Sequence, residues 1–535
     1  VGLLQTYGEG TIPKIYFGLM TGTYKYNISG GVLRKNVGPG GGLTGSMDDE
    51  IFVNSGIQRD TLTTGDLGII KSIDRLRLYG YGYNNGVYDE GSGINDDNCT
   101  YQQIGIVNSG GSTAQGHPAN EGNCSTWGNP VSEMYLETLR YFAGQSKTTA
   151  FAYDNSLASR DKQLGLPVVN WVDPINSNNY CTPLNTVMFS ASVSSYDGNQ
   201  LAGISGLGTL NSAAHYTKLV GDHEGITGQS APVGSDGTNY DGVCTAKTIN
   251  DLGAVSGICP EAPSLQGTYN IAGLAFYART NRIRSTPSIV AADKTSYKMT
   301  TYGVQLATNV PRITVDVGGK TVTIEPAYRL VRTDVAAGRY GTGTIVDFRI
   351  VHQDATSGKF YVNWEDSNQG GDYDQDVLGT ISYTISGNSI TVTTHVFSAS
   401  TANPQGFGFV INGTNKDGPH FYSGIYNFSY TDPIPVTITA TDSGTKINAS
   451  GGCNSCNDQT DKTPRSASFN VATGTALVLK DPLYYAAKYG GFVESDPEGD
   501  PGHGIPDKTP EWDSKKTDGT PGSDDQPDTY FFVNN

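Results

Sequence analysis

The chain has 535 residues, 69 of them glycine, and sets 35 Lys and Arg against 52 Asp and Glu for a formal charge of −17 at pH 7. That length suggests three or four domains, or two domains with large insertions. The acidic balance, without any Lys/Arg cluster, excludes a nucleic-acid footprint and disfavours an anionic membrane surface; it suits Ca²⁺, which prefers carboxylate and carbonyl oxygens.

Val1 opens the chain without Met or a basic leader segment, which reads as a processed or an incomplete product, and no apolar run approaches the ~18–20 residues that span a bilayer. Ile15 to Met20 predicts a short buried strand, and Asp66 to Leu78 carries Leu67, Ile70, Ile73 and Leu76 near helical spacing. The run Tyr79-Gly-Tyr-Gly-Tyr83 suits either an adaptable contact surface or ordinary loop packing. Asn129-Pro130 predicts an N-cap and a first helical turn; Val131, Tyr135, Leu139 and Phe142 share the face that follows, and Gly144 stops it. Thr186 to Ser190 predicts a second buried strand. Gln266 to Arg279 predicts a helix with Ile271, Leu274, Ala275 and Ala278 on one side. Strand and helix alternating in this way imply an α/β domain with a largely parallel sheet over residues 1–290, interrupted by loops at 83–128 and 198–260.

From Lys294 the period changes to two. Ile313–Val317, Gly318-Gly319 and Thr321–Ile324 read as a tight hairpin, and Ile381–Ile385 with Ile390–Thr394 as another. Thr344–Val351, Phe360–Trp364, Phe407–Ile411 and Val436–Ala440 add strands, so residues 291–445 read as an all-β, sandwich-like domain. Residues 446–479 form a polar, Cys-containing linker or strand region. Residues 480–535 begin with the short segment Lys480–Tyr489 and continue as an acidic, calcium-loop-like tail.

Seven cysteines sit in Gly/Asn-rich stretches, which favours disulfides in an oxidising compartment over metal ligation. The natural local pairs are Cys99–Cys124, Cys244–Cys259 and Cys453–Cys456, with Cys181 left over; spacing does not settle the connectivity. Cys453-Asn-Ser-Cys456 lacks the strand-then-helix context of a redox dithiol.

Two acidic constellations stand out. Asp372, Asp374 and Asp376 follow the turn-permitting Gly370-Gly371, and Glu365 or Asp366 could close a shell around Ca²⁺; the alternative is a solvated loop. The tail offers Asp496, Glu498 and Asp500, then Asp507, Asp513, Asp518, Asp524, Asp525 and Asp528. So little apolar surface cannot fold by burial alone, and metal binding can supply the missing free energy, although a flexible acidic linker has the same composition. Catalytic motifs fail: Gly318-Gly319-Lys320-Thr321 lacks the earlier glycine of a phosphate loop, Gly203-Ile-Ser-Gly-Leu207 lacks the last glycine of a nucleophile elbow, and His223-Glu224 has no second His at zinc-protease spacing. No catalytic residue and no enzymatic activity are expected.

Seven segments, in order along the whole chain, carry a family resemblance. They are Tyr16–Tyr24 with Ser29–Asn36, Trp127–Pro130 with Glu133–Ala143, Trp364–Asp376, Thr414–His420 and Lys480–Gly491. On these the chain resembles PilY1-type proteins, the tip adhesins and assembly factors of bacterial type IV pili. The resemblance implies a secreted cell-surface protein with a von Willebrand A-like α/β domain, a β-rich middle and a calcium-binding β-propeller following where this chain stops. It implies docking on minor pilins at the pilus tip, contact with host or abiotic surfaces, and Ca²⁺ as stabilising ion. Within an A-like domain Asp197 is the candidate metal-site residue. The rival expectations are a structural filament protein without an adhesive role and a secreted hydrolase.

Overall fold

The computed structural model describes residues 3–10, 12–23, 29–38, 46–47, 50–51, 58–59, 67–76, 81–82, 87–88, 128–148, 165–201, 204, 206–240, 244–263, 265–288, 295–306, 310–330, 343–366, 377–399, 405–425, 428–429, 439–440, 464–472 and 476–533. Two large hydrophobic cores organise them, one mixed α/β and one all-β, with a small third cluster of Cys244, Ala327, Val410 and Phe421.

The first core is built on helix α1 (Val131–Phe142), strand β1 (Leu184–Ser190), helices α2 (Ala213–His223) and α3 (Asn270–Thr280) and strand β2 (Met299–Leu306). Helix α1 buries Val131, Tyr135, Leu139 and Phe142, the face that the spacing predicts. Its cap differs from expectation. The Asn129 amide turns away to donate to Ser190 Oγ and the Ser192 carbonyl, and Asp197 supplies the capping acceptor from a distance, taking the Ser132 N–H and hydroxyl. Strand β1 pairs in parallel with β2, Leu184 opposite Met299 through Ser190 opposite Gln305. The strand is half-buried, not buried on both faces: Val187 and Phe189 are 65 % and 61 % exposed on the face away from the helices. The N-terminal strand forms only over Leu19–Thr21, with Ile15 and Tyr16 exposed. The helix expected at 66–78 runs over Ile69–Arg75; the Glu50 carboxylate accepts the Ile70 N–H at its start and pairs with the buried Lys35 at 2.8 Å.

The second core is a sandwich of antiparallel strands β3 (Ile313–Val317), β4 (Lys320–Leu330), β5 (Gly343–Gln353), β6 (Ser357–Asp366), β7 (Val377–Ser386), β8 (Ser389–Ala399), β9 (Gln405–Asn412), β10 (Gly418–Ile425) and β11 (Arg465–Asn470). One sheet has the order β10-β9-β4-β3, the other β5-β6-β7-β8-β11. Alternation decides which side chains enter: Val317, Val322, Ile324, Val362, Ile381 and Phe407 are wholly buried between the sheets. The turn between β3 and β4 uses Gly318 and Gly319 at φ +63 and +79, the left-handed pair that a two-residue hairpin needs. Residues Thr414 to His420 close the β9–β10 hairpin. Asp417 accepts the Thr414 N–H and the Ala476 N–H, and buried His420 bonds the Lys416 carbonyl and the Tyr422 hydroxyl. Of the strand expected at Val436–Ala440, Thr439–Ala440 pairs with Phe428–Ser429.

After the sandwich the chain returns to the first core. Helix α4 (Pro482–Gly491) packs on α3 and β2, and strand β12 (Tyr530–Val533) joins β2 in parallel, completing the order β12-β2-β1. The sandwich therefore lies between two sheet strands of the first domain. Residues 480–533 contribute Leu483, Tyr484, Tyr485, Tyr489 and Tyr530 to that domain's core, where the sequence suggested a tail leading outward. Helix α4 starts on Asp481, whose side chain accepts the Leu483 N–H, with Pro482 in the first turn. Among the described residues no helix is long and apolar enough to cross a membrane.

Candidate metal centre

Between α4 and β12 the chain makes a loop that has almost no apolar residue of its own and folds around carboxylates. Glu494 and Asp496 alternate as the backbone leaves α4 extended. Glu511 enters from the four-residue helical turn Thr509–Trp512, and the Val493 N–H donates to the Glu511 carbonyl, tying the two segments together. Glu494, Asp496 and Glu511 each bring a carboxylate oxygen within 4.8 Å of the others, and Asp496 and Glu511 are buried. Asp507 is exposed and stands beside this trio, across Gly502 from Asp496. A Cβ at Gly502 would stand 2.4 Å from Asp507 Oδ2 and 2.8 Å from Asp496 Oδ2, so both acids converge on the bare backbone of that glycine.

The loop's own donors occupy part of this set. Ser495 donates its hydroxyl and N–H to Glu511 Oε1, Asp496 N–H donates to Glu494 Oε1 at 2.7 Å, and Gly504 N–H donates to Glu494 Oε2 at 2.5 Å. Lys508 pairs with Asp496 Oδ1. Asp496 Oδ2 is buried with no hydrogen-bond partner. An unpartnered buried carboxylate oxygen is costly, and one grouped with two other acids more so; a divalent cation relieves both penalties. The donor set is all oxygen, the chemistry that suits Ca²⁺.

The remaining tail acids are placed differently. Glu498 and Asp500 are exposed, and Asp500 accepts the Gly502 N–H. Asp513 is buried and takes the Ser523 hydroxyl and the Asp524 and Asp525 N–H groups. Asp528 takes Ser514 and Lys515, Asp524 takes Thr517, and Asp518 takes Thr520. Asp525 pairs with Lys480 at 2.8 Å. These carboxylates are spent on turns; bonds from loop donors hold Asp518 and Asp524 below the usual carboxylate range. Of the four tail ligands expected from sequence, the fold brings Asp496 and Asp507 together and leaves Glu498 and Asp500 outside. Glu494 and Glu511 were not anticipated. The alternation Glu494-x-Asp496 leaving a capped helix was the available signal for the first; Glu511 meets them only through folding.

Asp372, Asp374 and Asp376 lie outside the described residues, as do the side chains of Glu365 and Asp366 at the end of β6 and the cysteines Cys99, Cys124, Cys453 and Cys456. Cys244–Cys259 is a disulfide, and Cys181 is an exposed free thiol. Asp197 is fully buried. It accepts from Ser132 and from the Thr268 N–H at 2.7 Å, so it fastens α1 to the start of α3 and presents no oxygen to a surface ion. His223, at the end of α2, stacks on the Tyr489 ring, and burial lowers its imidazole below the usual value.

Residues 17–278 match the family model described as the second domain of PilY1 homologs, and residues 315–464 match the model described as their beta-sandwich. A curated relative, the type IV pilus biogenesis factor PilY1 homolog of Xylella fastidiosa (strain Temecula1), is 28 % identical over 540 residues, covering 91 % of this chain and 34 % of the relative. The chain thus spans about a third of that relative's length. No solved structure matches it.

Proposed function

We propose, for a chain that carries the second domain and the β-sandwich of PilY1 homologs, a role in type IV pilus biogenesis, exercised by binding and not by catalysis. The observation that carries this reading is the two family domains in order along the chain. On this reading the protein works at the cell surface, at the pilus tip, docking on minor pilins and contacting host or abiotic surfaces. The likeness of the first domain to von Willebrand A domains rests on resemblance alone, and buried Asp197 gives it no metal ligand there.

Ca²⁺ is the stabilising ion we propose, held by Glu494, Asp496, Asp507 and Glu511. It would cross-link the exit of α4 to the turn before β12, stiffening the return segment against force transmitted through the chain. Unpartnered Asp496 Oδ2 supports this reading. The functional test is genetic: delete the coding region for this chain in its own bacterium, then count surface pili and measure attachment. We expect fewer pili and weaker attachment. Fewer pili with attachment per pilus unchanged would support the filament-assembly role without adhesion, and no change in either would overturn the proposal.

A further inference from the structure

We infer that a cavity of about 490 Å³ where the two domains meet is a binding site for a primary amine on a short apolar stem. The stem's walls are Val193 and Ile258 from the first domain, Val310 from the sandwich, Leu479 before α4, and Tyr530 and Phe532 from the returning strand. Pockets at domain seams with apolar walls and a few convergent polar groups are the usual form of small-ligand sites.

The polar groups specify the ligand's head. Asn412 Oδ1 and Gln526 Oε1 both line the cavity, and both are buried without a hydrogen-bond partner. The Asp481 carboxyl also lines it; its one hydrogen bond to a described residue is from the Leu483 N–H, and no described cation pairs with it. The described cations at the cavity already have partners. Arg312 pairs with Glu325 at 2.5 Å, and Lys480 pairs with Asp525 at 2.8 Å while lying over the Tyr484 ring. Two acceptors thus lack donors, and the carboxyl beside them lacks a described cation. An ammonium supplies three N–H donors and the compensating charge. Glu325 is neutralised by Arg312, but a carboxylate or phosphate ligand would still add negative charge beside Asp481, and an alcohol supplies one donor for the two unpartnered oxygens and no charge for the carboxyl. The amine could be a small free molecule or the side chain of a lysine on a peptide, since both present the same head and stem.

The test is a titration of the whole chain, followed by calorimetry and by chemical-shift changes. The probes are n-pentylamine, Nα-acetyl-lysine methylamide, 1-pentanol and pentanoate. Saturable binding of n-pentylamine alone assigns a free amine, and binding of the lysine derivative assigns a peptide side chain; either supports the site. The account expects 1-pentanol, pentanoate and the Asp481→Asn chain to lose at least about tenfold in affinity, the factor for roughly 1.4 kcal/mol. Asparagine keeps an acceptor for the Leu483 N–H, so the helix start survives. Val193→Trp, which fills the cavity and leaves Asp481 in place, should abolish binding as well. No saturable binding of either amine, equal binding of 1-pentanol, or amine binding unchanged in both variants would overturn the inference.

Discussion

Asp197 and Asp481 show at the scale of single residues how this fold uses carboxyls. Asp197 is fully buried and Asp481 half-buried; each accepts a backbone N–H at a helix start, and desolvation pushes each carboxyl up to about 6. For such a group the folded state holds a proton that the unfolded chain releases near 3.8. Its stabilising contribution is therefore complete below about pH 4 and is lost as pH rises through about 6. Asp197→Asn removes that dependence. Measured by denaturant unfolding, the stability of the variant relative to the parent should improve by about 2–3 kcal/mol between pH 4 and pH 6, then stay level. A difference constant over that interval would contradict the assignment. Sequence reading placed the cap of α1 on Asn129, because the residue type and the Pro after it fit; the acceptor comes instead from a residue brought there by tertiary structure, which local pattern does not encode.

Among the elements, those whose burial is local were legible. Helix α1, the β3–β4 hairpin and the β7–β8 hairpin follow from apolar spacing and turn glycines. Strand β1 was legible as a strand, but its outward Val187 and Phe189 read as core because an apolar run does not say how many faces are covered. Helix α4 was visible as a segment, without its destination. Its Gly490-Gly491 end shows why small residues stand there. A Cβ on Gly490 would lie 2.7 Å from Thr301 Cβ and 3.0 Å from Ala275 Cβ, so α4 touches β2 and α3 where Thr301 is fully buried and bonded to the Tyr135 hydroxyl at 2.7 Å. Gly490→Ala should destabilise the chain by about 1–3 kcal/mol through overpacking, although alanine is the better helix former. Thermal and denaturant midpoints check this, and an unchanged or raised midpoint would contradict the close approach. The Cys244–Cys259 bond closes a loop with a sequence separation of 15, and replacing both by Ser should cost roughly 2–4 kcal/mol, read in the same assay against the oxidised parent, with the reduced parent falling close to the variant.

For the whole molecule, the decisive feature is the path of the chain. It leaves the first domain after β2, builds the sandwich, and comes back through α4 and a carboxylate-rich loop to set β12 beside β2. A four-residue strand pairing with one from before the sandwich is invisible to any window of sequence, and so was the meeting of Glu494 and Glu511. Composition marked the tail as poor in apolar residues; the structure anchors its two ends in the first core through Leu483, Tyr484, Tyr485, Tyr489 and Tyr530, and between them sets turn-forming Asp side chains and one cluster in which Lys508 pairs with Asp496 beside Glu494 and Glu511. The proposed ion would fasten this return, and through it the seam between the domains. The most direct test is calorimetric titration of Ca²⁺ into the chain and into Asp496→Asn, with thermal unfolding of each followed before and after. The account predicts one-site heats and a raised unfolding temperature for the parent, both lost in the variant; absent heats in the parent, or identical heats and shifts in the two proteins, would contradict it.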